Sequence, residues 1–256
     1  MEFNRVYMLG STVSQSKNEL PLPPRWAEDP LSEFIQDSFK STIASFVHKK
    51  QEFNLLLKVD GVFRGISGNL DNSEDPFAPA LLHRSHSAFL ASCRTSMSGQ
   101  AAETFPQLRS CLEYALYALH INENPTLAKD WVRRHENEES LKKAKRSFRH
   151  VNVMKTLHAR DIALHNSLSE LYQRTIDFGG HPNERAVSSS LEMRKEGDTT
   201  VVRSQFLHGD SAALVHALRT TAQIGLGSLL VFQLIYNERF DILDLRDTIE
   251  ELKRAL

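Results

Sequence analysis

Residues 108–120 read LRSCLEYALYALH, a run so apolar that a helix formed from it has almost no face left for water. At 3.6 residues per turn, Leu108, Cys111, Leu112, Ala115, Leu116, Ala118 and Leu119 cover most of the cylinder, as expected of a core helix. The exceptions are Arg109 and Glu113, spaced i, i+4 on one face, with Tyr117 and His120 extending the same stripe. Ionised side chains rarely enter a core unless paired, so the spacing predicts an Arg109–Glu113 ion pair. Such a pair either stitches two helices together or opens a polar groove in which the guanidinium fork takes an anionic ligand and Glu113 orients it.

Outward from this helix the pattern stays helical. A broad apolar stripe of Phe34, Ile35, Phe39, Ile43, Phe46 and Phe53 begins at Pro30 and predicts a first helix running to about Val59. A second is expected over Pro79–Ser98, closed by Gly99, and a third over Ala101–His120, stopped by NENP. A short helix follows Pro125, and a long polar one covers Glu138–His158, with nothing before Gly179 that clearly breaks the period. Alternation at Val187, Ser189, Leu191 and Met193, then Gly197-Asp198 and a β-branched run, predicts one β-hairpin within 186–208. Helices over Ser211–Tyr236 and about Asp241–Ala255 complete a mostly α, multi-helix, bundle-like domain over 31–256. Residues 1–30, rich in Ser, Asn and Pro, read as an extended arm.

Between the long polar helix and the hairpin lies Gly179-Gly180-His181-Pro182-Asn183-Glu184. A left-handed glycine cap and a proline that prevents resumption of the helix account for Gly-Gly and Pro. His181 and Asn183 are left over, and polar loop residues held by a rigid cap are common parts of binding sites. Arg109, Glu113, Tyr117, His181 and Asn183 are therefore the candidate binding residues.

Composition narrows the function classes. The chain has 256 residues, 41% of them hydrophobic, enough for a sizeable core, and a formal charge of −1 that gathers neither nucleic acid nor anionic membrane as a whole-molecule field. Cys93 and Cys111 form no C-x-x-C pair, the N-terminus lacks a signal-peptide pattern, and the longest apolar run, Ile224–Tyr236, is shorter than the ~18 residues that suggest a membrane span. These features lead to the expectation of a soluble cytoplasmic protein with no membrane partner. No cofactor is called for: Gly225-x-Gly227 follows no strand and reads as close helix packing. The basic run Lys142, Lys143, Lys145, Arg146 and Arg149 is offset by Glu138 and Glu139 at i, i+4 and reads as a solvated, salt-bridged face. His158, Asp161 and His165 share one helical face, and His83 and His86 form another close pair, which makes a metal-binding bundle an alternative. No E-x-x-H or H-E-x-x-H occurs, and no metal ligand set is assigned.

Two resemblances add to this reading. Arg160-Asp161-Ile162-Ala163-Leu164-His165 matches R-x4-H and resembles the signature of the HEPN superfamily, helical nucleotide-binding domains that include metal-independent ribonucleases. The resemblance implies a catalytic pair in which Arg160 stabilises phosphate charge and His165 handles a proton, usually across a homodimer, with RNA as substrate. Arg203/His208 has the same spacing and Arg174/His181 the longer R-x6-H that the signature also permits, and only the helical setting and Asp161 favour the first. Secondly, Gly99-Gln100-Ala101-Ala102-Glu103, Arg109-Ser110-Cys111-Leu112-Glu113 and the His181-Pro182-Asn183 loop resemble a type of bacterial helical protein with a G-Q-x-x-E / R-S-x-L-E helix and no established activity. The leading expectation is a ligand- or partner-binding helical protein centred on Arg109, Glu113 and His181. RNA enters as a partner only through the HEPN alternative.

Overall fold

The computed structural model describes residues 22–70, 76–182, 184–197 and 199–256. Asn183 and residues 1–21 of the expected arm lie outside them. The chain divides into two compact units, Met1–Asp37 and Ser38–Leu256. In the first, the described residues before Pro30 are folded into turns, with Trp26 N donating to Pro23 O and Glu28 N to Arg25 O. Asp29 Oδ1 then accepts from the backbone of Leu31 and Ser32, an N-terminal cap that starts helix α1, Pro30–His48.

The second unit is almost entirely helical: α2 Lys50–Ser67, α3 Phe77–Met97, α4 Ala101–Glu123, α5 Thr126–Val132, α6 Glu138–Ser147, α7 His150–Arg160, α8 Ile162–Thr175, α9 Glu184–Ser188, α10 Ala212–Ile235, α11 Asn237–Ile242 and α12 Leu245–Ala255. Its only strands among the described residues are β1 Leu191–Glu196 and β2 Thr199–Ser204, an antiparallel hairpin in which Met193 faces Val202. The mostly α fold with one hairpin is thus the fold expected from the period of the apolar residues.

The 108–120 stretch is the core helix its composition demands. Leu108, Cys111, Leu112, Ala115, Leu116, Ala118 and Leu119 are all buried, in one core cluster with Leu82 and Phe89 of α3 and Leu229 and Phe232 of α10. α10 is long and apolar enough to cross a membrane, but 67% of its most apolar window is buried inside the protein. Gly225 and Gly227 allow its close approach: a Cβ at Gly225 would meet Phe89 and Val59 carbons at 2.6 Å, and one at Gly227 would run into Leu168. Between α3 and α4, Gly99 turns with φ +85°, where L side chains are disfavoured, and its carbonyl accepts from His208 N at 2.7 Å.

Three expectations are corrected. The first helix breaks at Lys49, whose φ/ψ of −116°/46° is non-helical, and the outward side of α1 carries the apolar stripe: Phe39 is 66% and Ile43 51% exposed while Ser45 is buried. The long polar helix expected over Glu138–His158 is two helices, α6 and α7, and the chain does not run on unbroken into α8. Phe148 and Arg149 end the first, and Asp161 leaves the helical region at φ −155° to accept from Leu164 N as the cap of α8. Gly179 is not a left-handed cap: its backbone is extended and closes a π-helical turn, Ile176–Gly180. Glycine is needed there because a Cβ would strike the carbonyl of Ala102. That carbonyl lies four residues before Pro106, which has no N–H to offer it, so a proline inside α4 leaves the surface onto which Gly179 packs.

Candidate functional site

Arg109 and Glu113 form the expected pair, Arg109 Nε donating to Glu113 Oε1 at 2.8 Å. Their side chains are 29% and 34% exposed, so the pair sits at the edge of the core rather than within it. The same carboxylate oxygen accepts from the hydroxyl of Tyr172 on α8 at 2.9 Å, and the Arg109 guanidinium lies 5.2 Å from the Tyr172 ring centre. His150, the first residue of α7, stacks on that ring at 3.7 Å. Burial, reinforced by the Glu113 charge, pushes the Tyr172 hydroxyl up to about 12, which keeps it protonated and able to donate. Burial also lowers His150 from the usual 6.5, against the pull of Glu113. Two hydrogen bonds to Glu113 and the ring stack of His150 thus join α4, α7 and α8.

The other expected residues are not gathered here. Tyr117 hydrogen-bonds the Phe148 carbonyl at 3.3 Å and packs on that ring. His181 is exposed at the bend that follows the π-turn and makes no hydrogen bond or ring contact with the Arg109 cluster. Arg160 and His165 flank the bend between α7 and α8 but engage different groups. The Arg160 guanidinium reaches Glu123 Oε1 and the Leu234 carbonyl, each at 3.5 Å. His165 stands edge-on to His158 at 4.9 Å, with Nδ1 against Asn166. Among the described residues no three His, Cys, Asp or Glu side chains come together as a metal site, and His86 is instead bonded to Asp60 at 2.6 Å. In the basic run, Lys142 pairs with Glu138 as expected, whereas Lys143 reaches Asp130 rather than Glu139.

Across α8 the situation reverses. Tyr172 and Arg174 are two residues apart on a helix and so leave it on opposite sides. Arg174 projects toward α10 and enters an open cleft of about 590 Å³ with Val215, His216, Arg219, Thr220 and Gln223. Arg174 Nη1 donates to Gln223 Oε1 at 2.7 Å, and Arg219 Nη2 to the Ala255 carbonyl at 3.3 Å. Ala212 and Leu256 also line the cleft, the Leu256 carbonyl accepting from Gln223 Nε2 at 3.2 Å; no acidic side chain does, and neither guanidinium has a carboxylate within ion-pair distance among the described residues. The Thr220 side chain is fully buried, and its hydroxyl has no hydrogen-bond partner; the buried Nε2 of His216 has none either. Burial and the Arg174 charge lower His216 from 6.5, leaving it a neutral imidazole. A second open groove of about 490 Å³ shares Arg174 and continues along α8 past Ser169, Gln173 and Asp177 to Arg185.

These residues were missed in the sequence because Arg174 lies on α8 and the others 38 or more positions further on, most of them on α10. A partial signal was present: His216, Arg219, Thr220 and Gln223 fall at i, i+3, i+4 and i+7, a polar stripe on an otherwise apolar helix. No family model, curated protein or solved structure matches the chain.

Proposed function

We propose that this is a binding protein for a small anionic ligand of the phosphate type, held in the cleft between α8 and α10. The observation that carries the proposal is the fully buried, unpartnered Thr220 hydroxyl lining a cleft with two guanidiniums that lack carboxylates. An unmade buried hydrogen bond costs about 1–3 kcal/mol, a cost a folded protein rarely carries without a use. An anion in the cleft offers acceptors to Arg174 and Arg219, and the Thr220 hydroxyl and Nε2 of His216 in its Nε2–H tautomer, buried in the cleft wall, would join them once that wall parts slightly. Tetrahedral phosphate, with oxygens pointing several ways, suits donors converging from two helices better than a planar carboxylate. The adjoining groove that shares Arg174 would take the remainder of a larger phosphorylated molecule.

This reading moves the ligand site away from Arg109 and Glu113 and gives that pair a positioning role. With Tyr172 it fixes α8 against α4, and so aims Arg174 at α10. Calorimetric titration with inorganic phosphate and pyrophosphate tests it. Saturable binding that Arg219→Ala weakens at least about 10-fold is expected, since a hydrogen bond to a charged group contributes about 1.5–3 kcal/mol. No binding by the wild type, or equal binding by the variant, would remove the proposal.

One observation favours a second reading, RNA cleavage at the α7–α8 bend. The rings of His158 and His165 stand 4.9 Å apart across the bend that follows Arg160, so two imidazoles are placed to act as acid and base, while the Arg160 guanidinium is turned to Glu123 and the Leu234 carbonyl. Cleavage of RNA in EDTA, abolished by His165→Ala, is its expected signature; intact RNA at high protein concentration excludes it.

A further inference from the structure

We infer that the ligand is a sugar phosphate, with its phosphate in the α8–α10 cleft and its hydroxyls in the adjoining groove; the inference rests on the phosphate reading of that cleft and extends it. The cleft and the groove meet at two residues. Arg174 lines both, and Phe178, which lines the groove, packs its ring 4.7 Å from that of His216 in the cleft. A molecule whose phosphate sits at Arg174 therefore lays its remainder along Glu170, Gln173 and Asp177. With Arg174 these fall at i, i+3, i+4 and i+7, one face of α8 continued into the π-helical turn that follows it. At about 490 Å³ the groove is within the usual range for small-molecule sites.

The chemistry of the lining selects the class of ligand. Beyond Arg174 the groove offers mainly acceptors. The Glu170 carboxylate has no hydrogen bond or ion pair among the described residues. Gln173 donates from Nε2 to Asp177 Oδ1 at 2.8 Å, which leaves its own carbonyl oxygen to accept, and Asp177 Oδ2 stands 3.6 Å from Arg185. Hydroxyls complement such a lining: they donate to carboxylates in charge-assisted bonds and can accept from Arg185 in the same pose. An ammonium group would also donate, but it would lie between the positive charges of Arg174 and Arg185. A nucleobase binds by stacking on aromatic side chains. Phe178 is the one ring among the described lining residues, and it is already packed against Phe105 at 5.5 Å as well as His216.

The test is calorimetric titration of the full chain with inorganic phosphate, glucose 6-phosphate, ribose 5-phosphate and O-phosphoethanolamine. The better of the two sugar phosphates should bind at least about 10-fold tighter than inorganic phosphate, the gain expected from one or two charge-assisted hydrogen bonds, and phosphoethanolamine should show no such gain. Glu170→Gln and Asp177→Asn, made separately and checked for unchanged helical circular dichroism, should each remove most of the gain. Both should bind inorganic phosphate no more weakly than wild type, since each removes a negative charge from beside the cleft. Arg219→Ala should instead weaken phosphate and sugar phosphate alike. Sugar phosphates bound no tighter than inorganic phosphate, phosphoethanolamine bound tighter than either sugar phosphate, or a gain that survives both carboxylate changes would overturn the inference and leave the cleft reading standing. Failure of every probe to bind would remove the cleft reading and this inference with it.

Discussion

The two polar clusters on either side of α8 are built from the same kinds of residue, arginine, histidine and a hydroxyl, yet they differ in one respect. On the α4 side, one carboxylate oxygen of Glu113 accepts from both Arg109 and Tyr172, and none of these residues has a buried polar atom without a partner. On the α10 side, there is no carboxylate, the Thr220 hydroxyl and His216 Nε2 are unmatched, and space remains between the helices. A satisfied polar cluster rigidifies; an unsatisfied one beside a cavity costs stability and awaits a partner. An arginine on a core helix therefore says little by itself. Whether its neighbours already use its donors decides between a staple and a site.

The largest effect should come from the satisfied side. Tyr172→Ala removes a buried ring that joins α4, α7 and α8, and a loss of about 3–5 kcal/mol is expected from chemical denaturation. A loss below about 1 kcal/mol would mean that the cluster does not hold α8. Glu113→Ala comes next. Exposed pairs contribute about 0–1 kcal/mol, and breaking a buried pair costs about 3–5, so a pair roughly one-third exposed should lie between, near 1–3 kcal/mol. Arg109→Met with Glu113→Leu should recover much of that loss, because apolar replacement removes both charges together. A double variant as unstable as the single would show that the geometry of the pair, not its stranded charge, is what matters.

On the open side the pattern should invert. Arg219→Ala should leave denaturation within about 0.5 kcal/mol of wild type, as for most surface changes, while phosphate affinity falls. The smallest effect is a pH dependence. Burial lowers His83, His120, His150 and His216 from 6.5, so below that value the unfolded chain binds more protons than the native one. Stability is therefore complete above about pH 7 and declines as pH falls from 6.5 toward the depressed native values. Bound phosphate beside His216 favours the imidazolium, so its proton-exchange titration, followed by NMR, should move upward on adding phosphate. An unmoved His216 would place the anion elsewhere.

Much of the fold was legible because helical period is a local property. The apolar run at 108–120, the close-packing Gly225 and Gly227, and the hairpin around Gly197 each carry their signal within a few residues. The break at Asp161 was also local but masked: the residues on both sides keep a helical period, and only the capping potential of Asp161 marked the junction. The outward-facing stripe of α1 could not be read, since periodicity shows that a face is apolar and not what covers it. The Arg109–Glu113 pair was legible from i, i+4 spacing. Its third member, Tyr172, lies 59 residues further on, and the Arg174–Thr220 cleft depends on the packing of α8 against α10, which no local pattern encodes.

The most direct test is Thr220→Val, a nearly isosteric change that deletes only the unmatched hydroxyl, with denaturation and pyrophosphate titration run on the same samples. Removing an unsatisfied buried polar group should raise stability by about 1 kcal/mol, and losing a donor to the anion should weaken binding about 10-fold. The account predicts this opposed pair of changes, a more stable protein that binds less well. A variant that is less stable, or that binds pyrophosphate as tightly as wild type, would contradict it.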